Sequence, residues 1–206
     1  MNRRALKGTI VRRMTAAVVC AGLAAGVPMW ASTASATEVK GCTIVDNPTR
    51  AHHTSCPGMN MERANLSGMN LRYADLAGTN IEFSTLTGVN FRQANLKGAE
   101  LGFSNLAGSD LIDANLAGAG LGHSTVSGVE AFFVNLKGAR AKFMNGSDSD
   151  FRGADMANAQ LVGAKFPRAH LESVDLRGAD LGLNDFNGAT YCRTIMQDGS
   201  VNNADC

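Results

Sequence analysis

The chain has little that announces chemistry. Its 206 residues contain no H-E-x-x-H, no C-x-x-C and no phosphate-loop pattern. Those are the spacings by which a zinc hydrolase, a redox or zinc site, or a nucleotide-binding turn is recognised. It also lacks an excess of either charge. Lys and Arg number 19, Asp and Glu 18, so nothing electrostatic suggests a nucleic-acid or polyanion binder. Prolines number four and tryptophan one, against 23 glycines. Threonine forms no regular ladder, which argues against a flat ice- or carbohydrate-binding face. Apolar residues make up 45% of the chain, enough for a folded core, so general disorder is excluded. The length suits one domain, with or without a tail.

The longest apolar stretch lies near the start. Arg3, Arg4, Lys7, Arg12 and Arg13 precede it, and it runs from Met14 to Trp30 before the small residues Ala34-Ser35-Ala36. Basic, apolar and small-residue regions in that order predict a secretory signal over residues 1–36, cut after Ala36. A retained membrane anchor is the weaker reading, because the stretch is short and broken by Pro28. Val19 stands before Cys20 where a lipoprotein signal has a small residue. Arg12-Arg13 hints at twin-arginine export, but Thr15 and Ala16 are not the apolar pair that follows in such signals. Cleavage leaves 14 basic and 18 acidic residues, a net charge of −4, and four of the five cysteines.

The rest is a repeat with a period of five. Stepping by five from Met61 to Tyr191 gives 27 positions, of which 26 are apolar, 15 of them Leu, and the exception is Gly146. Two residues before each of these centres the side chain is usually small, and 13 of the 27 are Ala. Asn or Asp mostly stands between. Neither a helix of period 3.6 nor a strand of period 2 gives this pattern, but a turn after every fifth residue does. Gly recurs two residues after alternate centres, from Gly68 to Gly138 in steps of ten. Since type II turns need a positive φ, this predicts a Gly turn at alternate corners.

Units such as Ala64-Asn65-Leu66, Ala94-Asn95-Leu96 and Ala179-Asp180-Leu181 resemble the A(D/N)LxG motif of the pentapeptide-repeat family. The resemblance covers residues 59–191. It implies an all-β fold: a right-handed quadrilateral parallel β-helix, four pentapeptides to a coil, with residues 20 apart stacked. With strands about 4.8 Å apart, about seven coils make a rod roughly 32 Å long. The centres Ala131, Ala141 and Gly146 are too small and the Gly rhythm slips there, which marks that zone for a bulge or local mobility.

Cys42 and Cys56 lie 14 apart before the repeat, and Cys192 and Cys206 lie 14 apart after it. A rod keeps its ends too far apart for cross-pairing, so each pair is expected to close its own loop. The organisation expected is an N-terminal cap with a disulfide loop over 37–58, the β-helix over 59–191 and a C-terminal cap over 192–206. The tail after Tyr191 resembles that of exported, actinobacterial-type members.

Few residues suggest a site, and no catalytic, cofactor-binding or metal-binding residue is assigned. His52-His53 with Cys42 and Cys56 could imitate zinc ligands. Asp148 and Asp150 begin like a calcium loop, but Arg152 and Ala159 stand where ligands should be. Gly118, Gly120 and Gly122 lie inside the repeat rather than in a nucleotide loop. Asp110, Glu130 and Asp150 would share one column, as either a solvated, self-repelling face or a weak cation site. Phe83, Phe103, His123 and Phe143, also 20 apart, would form an aromatic ladder on one edge. Such a ladder could stiffen the rod or bind a partner.

Together these features predict an exported, non-enzymatic structural or protein-binding module, monomeric or weakly dimeric. No cofactor, nucleic acid or retained membrane segment is expected, and the partner would be a protein or cell-envelope component. The alternative implied by the family is a DNA mimic that interacts with gyrase. The export signal and cysteine caps argue against it.

Overall fold

A computed structural model describes residues 12–14 and 36–206 of the chain. Most of the expected signal segment, Cys20 included, lies outside the described residues. Strand β1 (Arg12–Met14) pairs antiparallel with β2 (Ala36–Val39), which pairs with β3 (Cys42–Val45). Lys40 and Gly41, with φ of 53° and 83°, turn the second hairpin, as a tight two-residue loop requires.

From Ser55 to Ile195 the chain is a solenoid of single parallel bridges. Each joins a residue to the one 20 positions on, as in Asn95↔Asn115↔Asn135. Leu101 N donates to Gly120 O at 2.7 Å and Gly120 N to Ala99 O at 2.9 Å, and the same pairs recur on every side. Within most corners a further N–H reaches back three residues, as from Ala114 to Leu111 O at 3.0 Å. The backbone thus satisfies itself coil against coil, which lets so many glycines fold without helices or long strands.

The interior follows the sequence register. Every centre from Met61 to Leu176 is buried, and the small residue two before it is buried with it from Ala64 to Ala179, apart from the half-buried Met69. Where that small residue is Ser or Thr, its hydroxyl donates to a buried carbonyl. Ser104 reaches Ile81 O at 2.7 Å and Ser109 reaches Leu86 O at 2.8 Å, so no desolvation penalty is left standing. The Asn or Asp before each centre has its own task. Its Oδ1 accepts the N–H two residues on, at 3.0 Å from Asn80 to Glu82 and from Asp155 to Ala157. This Asx turn pins the entry to the corner.

At the corners the structure differs from the sequence reading. Positive φ recurs at every fifth residue from Gly58 to Arg193, not only at the alternate glycines. The corners between carry Tyr73, Phe83, Gln93, Phe103, Asp113 and others, with φ of 55–62°. Coils stacked in register must turn alike, so the backbone imposes the left-handed conformation whatever the residue. For a non-glycine this costs about 1–2 kcal/mol.

The weak zone holds neither a bulge nor a break. Bridges run through Thr125↔Asn145↔Lys165 without a shift. A Cβ on Gly146 would lie 3.0 Å from the Phe166 ring and 3.2 Å from the Phe151 ring. These rings meet edge to face at 5.8 Å and occupy the volume the glycine leaves. Where glycine is lost at successive corners of one edge, Asp148 and Arg168 pair across coils at 2.6 and 2.7 Å.

Both local disulfides are present, Cys42–Cys56 with Cα atoms 5.7 Å apart and Cys192–Cys206 with 4.9 Å. Val39, Cys42 and Ile44 join the core and cover its first coil. At the other end, β4 (Thr194–Ile195) and β5 (Val201–Asn202) form a short hairpin. Leu181, Phe186 and Tyr191 remain only partly buried there. Each loop of this size stabilises by about 3 kcal/mol in the chain-entropy model.

Candidate functional site

The four ladder residues meet as expected. Phe83 and Phe103 stack with ring centroids 5.1 Å apart and planes 6° from parallel. Phe103 and His123 are 4.9 Å apart, His123 and Phe143 5.0 Å. The spacing is the rise of one coil, because every residue occupies the same left-handed corner of successive coils. Each phenylalanine remains about half exposed, 48–55%, so the ladder shows its ring edges to solvent.

The ladder is longer than the sequence reading made it. Arg63, one coil before Phe83, lays its guanidinium over that ring at 5.5 Å. Beyond Phe143, the ring rests on the next corner, at Gly163, where a Cβ would come within 2.5 Å. On the opposite edge, two corners away, Phe133 does the same over Gly153 and is 68% exposed. The 20-residue spacing contained both signals: a corner arginine before the ladder, and off-rhythm glycines one coil after Phe133 and Phe143.

Beside the ladder lies a slot of about 280 Å³. Its floor is Gly102, Gly120 and Gly122, none of which sits at a positive-φ corner. Their lack of side chains serves space rather than backbone geometry. One wall is Phe103 and His123, and the other is an ion pair reaching over Gly120, from Arg140 to Glu100 at 2.5 Å. Glu82 stands at one end, with Oε1 3.0 Å from where a Gly102 Cβ would be, and Lys142 at the other. Off-corner glycines were the available signal. The charges, 40 and 60 residues apart, come together only once the coil spacing is applied.

Other sequence candidates resolve differently. Cys42 and Cys56 are bonded to each other, so they offer no thiolates beside His52 and His53, and His53 Nδ1 lies 3.2 Å from Arg50 O. The calcium-like pair is taken up by arginines. Arg168 holds the Asp148 carboxyl below its ordinary range through their hydrogen bonds, and Arg152 grips Asp150 at 2.6 Å. The acidic column is stacked as expected, Asp110↔Glu130↔Asp150, but it is not bare. Arg92 meets Asp110 at 3.0 Å. Among the described residues no group of His, Cys, Asp and Glu is arranged to hold a metal ion.

The model of pentapeptide repeats, eight copies, matches residues 60–98, 94–129 and 132–166, together just over half the chain. The chain belongs to the pentapeptide-repeat family. Its solenoid is the right-handed β-helix of that family, and no curated protein matches it. Among solved pentapeptide-repeat structures, it is similar to HetL of the cyanobacterium Nostoc sp., which is involved in heterocyst differentiation regulation. The identity is 21% over 72% of this chain and 89% of that one, with a TM-score of 0.29. A pentapeptide repeat protein of the Arabidopsis thaliana thylakoid lumen is 23% identical over 64% and 70%, with a TM-score of 0.25. The plasmid-mediated fluoroquinolone resistance protein QnrB1 is 15% identical over 66% and 81%, with a TM-score of 0.40. At that distance they say nothing of what this pentapeptide repeat binds.

Proposed function

We propose that this pentapeptide-repeat protein is an exported, non-enzymatic rod of about seven coils that binds a protein or cell-envelope component through its aromatic edge. The observation that carries this is the choice of residue at four corners. Phe83, Phe103, His123 and Phe143 hold φ of 56–58°, where glycine would be unstrained and where two other edges use glycine through most of their length. Each non-glycine corner costs about 1–2 kcal/mol, and each stacked aromatic pair returns about 0.5–1.5 kcal/mol. Four such corners cost about 4–8 kcal/mol and three stacked pairs return only about 1.5–4.5 kcal/mol, so stability alone gives no reason for the ladder, whereas a contiguous exposed apolar strip is suited to contact. Disulfide caps fit an oxidising compartment. They count against the gyrase-binding alternative, as do the Asp110 and Asp150 carboxylates, which are occupied by arginines.

Replacing Phe83, Phe103 and Phe143 together by Gly tests the reading. The melting midpoint is expected to move little, while capture of wall or supernatant components by the immobilised protein is lost. A large fall in midpoint with capture unchanged would make the ladder structural. Export is tested separately. N-terminal sequencing of protein recovered from the culture medium is expected to begin at Thr37, which removes β1 and leaves Thr37–Val39 paired to β3. A mature protein confined to the cytosol would end the export reading.

A further inference from the structure

We propose that the slot beside the ladder holds a short zwitterionic peptide of about three residues. It lies along the rod axis with its ammonium at Glu82 and its carboxylate at Lys142. The proposal rests on the reading of this edge as a binding surface. Among the described residues, neither the Glu82 carboxylate nor the Lys142 ammonium makes an ion pair or side-chain hydrogen bond. Both residues line one groove whose other charges, Glu100 and Arg140, already neutralise each other. A groove with one unpaired acid and one unpaired base is complementary to a ligand carrying both signs, and repels a polyanion or polycation at one end.

The length follows from the coil rise. Glu82 and Lys142 are three coils apart, but the Glu82 carboxylate leans over Gly102. It therefore stands about two coils, roughly 10 Å, from the Lys142 backbone. An extended peptide advances about 3.3–3.6 Å per residue, so three residues span that gap. Its ammonium would lie near Gly102 and its middle over Gly122, against the Phe103 and His123 ring edges. It cannot join as an extra strand. The coil-to-coil bonds of this face already run from Leu101 to Gly120, Phe103 to Gly122 and His123 to Lys142, and leave only isolated amides, those of Gly102 and Gly122 among them, without an acceptor among the described residues. Recognition is therefore by the two charged termini and by apolar contact, with the Gly102 and Gly122 N–H groups as the backbone donors left on the floor.

The test uses the purified, disulfide-bonded protein and three probes: trialanine, N-acetyl-trialanine and trialanine amide. Trialanine is expected to shift the Gly102 and Gly122 amide resonances at millimolar concentration. Either blocked peptide should bind about tenfold more weakly, the loss of one end interaction. Glu82→Gln should reproduce the loss for trialanine without further weakening the acetylated probe. Gly122→Val should abolish binding by filling the floor. It is built to fold, since a Cβ there meets only Lys142 O, at 3.7 Å. Equal binding of the three probes, or no shift at Gly102 and Gly122, overturns the proposal. If that happens while the triple Phe→Gly variant still loses capture, the edge stands and the slot reading alone fails. If both fail, the edge is not a binding surface.

Discussion

Leu116→Asp is expected to abolish the folded rod, and Asn115→Asp, one residue earlier, to leave it almost unchanged. Leu116 is 1% exposed and lies in the tube between Leu96 and Leu136, one coil to either side. The space beside it is an apolar void of about 10 Å³, which offers a water no polar partners. An aspartate there forfeits about 1.5–3 kcal/mol of leucine burial and adds the desolvation of an unpartnered carboxyl, several kcal/mol whether charged or neutral. That sum is comparable with the whole stability of a domain, about 5–15 kcal/mol. Asn115 points outward, and its Oδ1 accepts the Ala117 N–H at 3.1 Å. Aspartate keeps that bond, so the change should stay within about 0.5 kcal/mol. Circular dichroism and denaturant midpoints check both. If the two variants behave alike, the register is wrong.

That contrast is available because the register was legible from residue type alone. Centres and small partners stand where a five-residue period puts them, and each cysteine pair closes its own loop beside the repeat. The ladder was legible too, once residues 20 apart were stacked. Three features were not. The corners read as alternating, because glycine marks only those where nothing else offsets the strain. Yet Phe103 at φ 57° turns as Gly108 does at 66°, since coil stacking fixes the backbone before the side chain is chosen. The acidic column read as one free charge type, because Arg92 and Arg152 approach it from positions that are not 20 apart. The slot was invisible as a site, because its floor consists of missing side chains. The Gly118, Gly120 and Gly122 run hid a difference: Gly118 turns a corner at φ 67°, while the other two make room.

The last expectation runs against the consensus. Gly146 is the one centre without a side chain, and the repeat pattern asks for Leu there. Gly146→Leu should nevertheless destabilise the rod by about 1–3 kcal/mol, the usual cost of overpacking a filled core. The volume is already taken. A Cβ alone would stand 3.0 and 3.1 Å from two Phe166 ring carbons and 3.2 Å from Phe151, and the rest of a leucine has nowhere to go. Phe166 cannot swing aside freely, because it also stacks on Phe186 at 5.5 Å. The glycine and the two phenylalanines are therefore one packing unit spread over neighbouring positions. Phe166→Leu alone should destabilise as well, by opening the space over Gly146. The double variant, with leucine at both positions, should recover part of the loss, giving a coupling energy opposite in sign to the single effects. Urea midpoints of the four proteins close that cycle. A higher midpoint for Gly146→Leu alone would mean that the rings do not fill the site, and that the weak zone is a true cavity.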